Sequence, residues 1–462
     1  MSDFVSLNSR QLVFLEGLFP GDALLTAPED TLIFSTDASR KRGRAAAVVR
    51  PESAAQVREL FAFAGAERIP LTIRSRATNL AGCCVPDQGG IVVATSKLDK
   101  ILEISEADSL CVCQPGVVTG DLQAAVAARR LFYPPDAASA GFSSIGGNVA
   151  TNAGGLRAVK YGVTRNYVLG FSAVLPDGSA ITTGARTHKN VAGLDLTSLL
   201  VGSEGTLAFF SEIILKLLPL PEASTSVLAC FDRLDTAVAA SWAVLARGVL
   251  PAAMEIMAKE VLDALAAITA TPWSGSPEAA LLLQFDGLEI AAKGEAEAAQ
   301  KAMEAFRPTS LLVALNPGDE EKLWGPRRLA NQASFSLGPS KMADDVTLPR
   351  GKVGEGVARY RRIASELGLK VLIFGHLGDG NIHVNYMYDD ADPVQAQNAM
   401  LAREATLAAT LELSGSISGE HGIGISKVDW LEKQYGRREI ELMRALKRCF
   451  DPANILNPGK GY

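Results

Sequence analysis

Histidine is scarce in this chain: 4 of its 462 residues are His, and aromatic residues make up only 6%. The six cysteines, Cys83, Cys84, Cys111, Cys113, Cys230 and Cys449, include no C-x-x-C spacing. That excludes a zinc ribbon or an iron–sulfur cluster built from such a motif, and the cysteines read as buried thiols rather than disulfides. An excess of positive charge is also missing. Lys and Arg total 45 against 51 Asp and Glu, for a net −6, and no basic cluster sits beside aromatics, so nucleic acid is not an expected partner. Long apolar runs are absent too. The most apolar stretch, Leu199 to Leu218, is broken by Glu204, Glu212 and Lys216, so no membrane-spanning helix is expected. The N-terminus lacks a basic region followed by an apolar one, so no signal peptide is expected and the reading is cytoplasmic.

What is present is an ordinary globular composition, 48% apolar and 21% charged, in a chain long enough for two to four domains. The first region alternates short apolar runs with glycine-rich turns. Strands are expected over Ala45–Val49, Leu71–Arg74, Gly90–Ala94 and Leu110–Gln114, with helices over Glu52–Gly65 and Thr119–Ala128. After Pro219 and Pro221 the sequence turns Ala-rich. Helices are expected over Ala237–Arg247, Lys259–Ala267 and Ile290–Ala305, and strands over Ser226–Phe231 and Ala279–Phe285. The pattern is α+β, with no internal repeat.

Two glycine-dense tracts carry chemistry. From Tyr133 to Gly162 the chain reads YPPDAASAGFSSIGGNVATNAGGLRAVKYG, where glycines permit positive φ and freed N–H groups can cradle a pyrophosphate. Turns between strands would look similar. The second tract holds three of the four histidines: Gly375-His376-Leu-Gly-Asp-Gly-Asn-Ile-His383 and Gly419-Glu420-His421-Gly422. His376 and His383 flank a G-D-G-N turn that can bring both imidazoles to one point. With a carboxylate they form a candidate divalent-metal site, although a hydrogen-bonded core histidine would read the same way. NAD and ATP are not expected: no G-x-G-x-x-G opens a helix, and Ile425 stands where a phosphate loop needs Lys.

Four stretches resemble the vanillyl-alcohol oxidase / p-cresol methylhydroxylase superfamily of FAD-binding oxidoreductases. They are YPPDAAS with IGGNVATNAGG, KYGVTRNYVLGFSAVLPDG, DLTSLLVGSEGTLAFFSEIILKLLP, and GHLGDGNIH with SGEHGIG. Within the superfamily the chain resembles the branch of D-lactate dehydrogenases, glycolate oxidase flavoprotein subunits and D-2-hydroxyglutarate dehydrogenases. The resemblance implies a two-subdomain FAD-binding domain of the p-cresol methylhydroxylase type plus an α+β substrate (cap) domain. The boundaries read as an N-terminal helical segment 1–40, the FAD domain 41–220, the cap 221–410, and a C-terminal segment 411–462 that returns to the flavin.

The resemblance assigns FAD, bound non-covalently, to Arg74, Ser75, Arg76, Ala77, Thr78, Asn79, Gly82, Pro135, Asp136, Ile145, Gly146, Gly147, Asn152, Gly154, Gly155, Gly162, Glu204, Gly205 and Asn457. No histidine lies in the candidate pyrophosphate loop to form a covalent link. The family's loop usually reads R-G-x-G-T, whereas Ser75 and Ala77 replace both glycines here. Positive φ at either would cost on the order of 1 kcal/mol. Two outcomes stay open: looser FAD, or a shifted loop in which Arg76 reaches a phosphate.

By the same resemblance His376, His383 and Glu420 are metal ligands, with zinc the expected ion. His421 is the candidate base, and Arg327 and Lys341 the candidate carboxylate binders, with Arg328 competing for that role. The implied reaction is oxidation of a D-2-hydroxy acid, D-lactate or glycolate, to the 2-oxo acid by hydride transfer to flavin N5. D-2-hydroxyglutarate oxidation is the alternative. A non-redox flavoenzyme of the same fold, a flavin-free metallohydrolase and a non-catalytic subunit are the rivals. Expected partners are the acid and an external electron acceptor: an electron-transferring flavoprotein, an iron–sulfur subunit or a quinone-linked carrier. A homodimer is left open.

Overall fold

The computed structural model describes residues 4–462 and divides into two compact units. The first three residues of the N-terminal segment lie outside that description. Unit 1 takes residues 4–154, 163–220 and 420–462, and unit 2 takes 155–162 and 221–419. Neither is continuous in sequence, because chain from one region returns to complete the other.

In unit 1, Ala47–Val49, Ile91–Ala94 and Leu71–Arg74 pair in parallel, and the short strand Leu24–Leu25 joins antiparallel at one edge. The two outer parallel strands are joined through the helix Ala54–Glu67, capped by the Ser53 hydroxyl and ended by Arg68 in the left-handed region. Its buried face, Val57, Leu60, Phe61 and Ala64, packs into a core with Val49, Leu71 and Val93. The C-terminal segment closes this sheet: Leu71 N–H donates to Ile455 and Asn457 N–H to Leu71. A second sheet is wholly antiparallel, in the order Ile101–Ser105, Leu110–Cys113, Phe209–Lys216, Val168–Val174, Ala180–Gly184.

Unit 2 is built on a seven-stranded antiparallel sheet ordered Ser310–Val313, Ala223–Phe231, Ala279–Gly287, Ala253–Ala258, Lys370–His376, Asn381–Tyr388, Ser340–Thr347. Its central strands are buried on both faces, Leu281 and Leu282 alike, as a sheet sandwiched between helices requires. One face carries Leu228, Met257, Leu282, Leu372 and Phe374 against Val261, Leu262 and Leu265 of the helix Lys259–Ile268 and against Leu323 and Trp324. Most expected elements appear within a few residues of their sequence-derived ends. All six cysteines are free thiols. Cys449 is exposed, contrary to the buried reading.

Candidate active site

In unit 1, three loops surround an open cavity with about 1210 Å³ of empty space, the solvent at its mouth included. Ser75, Arg76, Ala77, Thr78 and Asn79 form one wall, Gly146, Gly147 and Gly154 another, and Glu204 with Gly205 an end. Glu420 and His421 line the same cavity. Gly146 lies in the first turn of the helix Ile145–Thr151, where an added Cβ would sit 2.5 Å from the Pro115 Cβ. Only glycine lets that turn lie so close. Gly205 has φ 69°, and a Cβ there would meet the Asn457 amide at 2.9 Å.

The replaced glycines of the first wall behave differently. Ala77 stands at φ 55°, in the left-handed region. Ser75 is not among the residues with positive φ, and its hydroxyl bonds to Thr95 at 3.1 Å and to Ser144, which caps the helix that follows. The N–H groups of Arg76, Ala77, Thr78 and Asn79 donate to nothing among the described residues. A run of unsatisfied N–H groups around a left-handed residue is the backbone form of an anion-binding concavity. The wall therefore fits a pyrophosphate.

Several expected contacts instead support the walls. The buried Arg74 guanidinium donates to the carbonyls of Ile33 (3.0 Å), Thr36 (2.6 Å) and Phe34 (3.4 Å). Asn457 Nδ2 donates 2.7 Å to the Glu204 carbonyl. Gly82, Pro135, Asp136, Ile145 and Asn152 stand outside the cavity lining, and Gly155 and Gly162 belong to unit 2. Glu204 is buried with φ 52°, and its carboxylate accepts from Ile423 N–H (2.7 Å), Gly424 N–H (2.8 Å) and Cys83 Sγ (3.2 Å). Burial raises the Glu204 carboxyl above the ordinary value despite these donors. Asn79 Nδ2 donates 2.8 Å to the His421 carbonyl, fixing the turn that carries His421.

Unit 2 gathers the other expected residues on one sheet face. His376 ends one strand of a hairpin and His383 lies on the other. His376 pairs with Asn381 and His383 with Phe374, so the two imidazoles are diagonal neighbours, ring centroids 5.2 Å apart. Lys341 pairs with Met387 on the same face. It donates to Asn331 Oδ1, and its Nζ lies 5.5 Å from the Phe335 ring.

The sequence reading missed the group that organises this face. Glu255 is fully buried and is the cross-strand partner of His376. Its Oε1 lies 2.5 Å from His376 Nδ1, while Oε2 accepts from Arg327 Nε at 2.9 Å and Nη2 at 2.6 Å. Burial alone would raise the Glu255 carboxyl, but the attraction of His376 and Arg327 outweighs it and the net shift is downward. The available signal was a lone acid within the apolar strand AMEIMA. Arg327 stacks over Phe374 with Cζ 4.7 Å from the ring centre, and its Nη1 bonds to nothing among the described residues. Arg328, in contrast, is largely exposed and pairs with Glu321.

The Glu255 carboxylate at Nδ1 fixes how the His376 ring is oriented. Orientation by a carboxylate in this way is how metal-binding imidazoles are commonly fixed. This face therefore suits a metal ligand set.

Comparison with known proteins identifies the family. Residues 220–461 match the model of the FAD linked oxidases, C-terminal domain, and residues 45–184 match that of the FAD binding domain. The chain belongs to the FAD-linked oxidases. It is 36% identical to the glycolate oxidase subunit GlcD of Bacillus subtilis, over 93% of this chain and 92% of the relative. It is 35% identical to a D-lactate dehydrogenase of Archaeoglobus fulgidus, over 89% of this chain and 90% of the relative. The fold matches p-cresol methylhydroxylase with a TM-score of 0.80 at 16% identity, covering 97% of this chain and 95% of that one. An alkyldihydroxyacetonephosphate synthase shares it at a TM-score of 0.76 and 16% identity, covering 99% of this chain and 86% of that one, so fold alone does not select the chemistry. As an FAD-linked oxidase the chain is an enzyme that uses FAD. Among its described residues no helix is long and apolar enough to cross a membrane.

Proposed function

We propose that this FAD-linked oxidase converts a small D-2-hydroxy acid, D-lactate or glycolate, to its 2-oxo acid with the aid of a divalent metal ion, zinc being the candidate. Bound FAD supplies the acceptor for the electron pair leaving the substrate Cα, and the metal supplies a Lewis acid for the substrate oxygens. The observation that carries the reading is the 2.5 Å contact between Glu255 and His376 Nδ1, the kind of carboxylate contact that orients metal-binding imidazoles. His376, His383 and Glu420 are the proposed ligands. Glu420 follows Gly419, whose N–H donates 2.7 Å to Asp345, the cross-strand neighbour of His383.

His421 is proposed to take the hydroxyl proton. A neutral imidazole nitrogen is a suitable acceptor for that proton. Arg327 offers Nη1 to the substrate carboxylate while Nε and Nη2 hold Glu255, and Lys341 is the second proposed cation. The similarity to glycolate oxidase subunits and D-lactate dehydrogenases over some nine-tenths of the chain supports the substrate class. Non-covalent FAD, a cytoplasmic location and an external electron carrier complete the reading. His376→Ala or Glu420→Ala should abolish turnover and bound metal while the flavin absorbance persists. Turnover that survives both substitutions would make these residues structural.

A further inference from the structure

We propose that Arg76 is the counter-ion of the cofactor pyrophosphate, an assignment that rests on the FAD reading above. Arg76 is exposed, lines the unit 1 cavity, and is the one Lys or Arg among the lining residues. Its guanidinium makes no hydrogen bond or ion pair with any described residue. The charged side chains that share the lining are two acids, Glu204 and Glu420. Without Arg76, then, no Lys or Arg side chain of the lining would face a dianionic ligand. Arg74 cannot substitute, because its guanidinium is already tied to the carbonyls of Ile33, Phe34 and Thr36.

The local backbone agrees with this role. Arg76 opens the run of four unsatisfied N–H groups and immediately precedes left-handed Ala77. Ser75, on its other side, is anchored to Thr95 and Ser144, which fixes where the loop leaves the strand. A planar fork in front of a row of free N–H groups matches phosphate oxygens in charge and in geometry. The side chain at position 76 thus adds an attraction where Ser75 and Ala77 have made the loop stiffer than a glycine-rich one.

The test is the FAD dissociation constant, read by flavin fluorescence as the holoenzyme is serially diluted at low and at high salt. Arg76→Gln should weaken FAD between roughly 10- and 150-fold at low salt, the range of a charge-assisted hydrogen bond. High salt should shrink the difference, because the contact is partly solvent-screened. Arg76→Lys should recover most of the salt-dependent part. An unchanged constant in Arg76→Gln overturns the assignment. A loss independent of salt that Lys fails to rescue does so as well, since it would report loop geometry rather than charge. A wild-type protein that holds no FAD at all would instead remove the FAD reading on which the proposal stands.

Discussion

Replacing Glu255 by Met should destabilise unit 2 severely, and replacing Arg327 by Met in the same chain should restore part of the loss. Glu255 is fully buried and the Arg327 side chain is 11% exposed, so removing one partner strands a charge in a dry site. Breaking a buried pair in this way costs about 3–5 kcal/mol. In a unit of this size about 2–4 °C of Tm accompanies each kcal/mol, which gives a fall of roughly 6–20 °C. Removing both charges eliminates the stranded group, so the double variant should be less damaged than the two single losses added together. A coupling of roughly 0.5–3 kcal/mol is the range for groups in direct contact. Chemical denaturation of the four proteins, followed by circular dichroism, measures it. Strict additivity, or a Glu255→Met transition within about 2 °C of wild type, would refute the claim that this carboxylate organises the site.

Three further outcomes follow from other groups. Burial raises the folded Glu204 carboxyl above its ordinary value of 4.5, so the stability it contributes is present below that value and declines as pH rises through the folded one. The stability deficit of Glu204→Gln should therefore be smaller at pH 8 than at pH 5, and a constant deficit in paired thermal melts would argue against the sign. Lys447 is buried and donates to Asp451 (2.5 Å), the Thr206 carbonyl (2.7 Å) and the Leu456 carbonyl (2.7 Å). Lys447→Met should cost about 3–5 kcal/mol by removing the cation that pairs with buried Asp451, which would keep only the N–H groups of Ile455 and Leu456, and a denaturation midpoint close to wild type would contradict this. Electrons have no iron–sulfur exit of the C-x-x-C kind in this chain, so an artificial dye should sustain faster turnover than air; equal rates with stoichiometric peroxide would make the enzyme an oxidase.

Much of the site was legible because its chemistry sits in contiguous words. The pyrophosphate loop, the helix at Ile145 and the two histidine loops each concentrate glycine with polar residues over a few positions. Strands such as Leu71–Arg74 and helices such as Ala54–Glu67 announce themselves by local periodicity. The conditional reading of the altered loop was met at Ala77, which does adopt positive φ, and not at Ser75, whose hydroxyl found partners instead. Glu255 was not legible as a partner of His376, because the two are 121 residues apart and meet only through the sheet register. For the same reason Asp345 gave no hint that it would hold Gly419. Nor could local pattern show that residues 155–162, within the glycine-dense tract, fold with unit 2. Local periodicity identifies an element; it does not say which distant element will pair with it.

The central claim is hydride removal from a D-2-hydroxy acid to bound FAD, and anaerobic mixing in a stopped-flow spectrometer tests it most directly. D-lactate or glycolate should bleach the flavin band of the wild-type protein within the time of a turnover, L-lactate should not, and His376→Ala should remain yellow with either substrate. A flavin that no 2-hydroxy acid reduces, in a preparation that retains its FAD and its metal, would contradict the account.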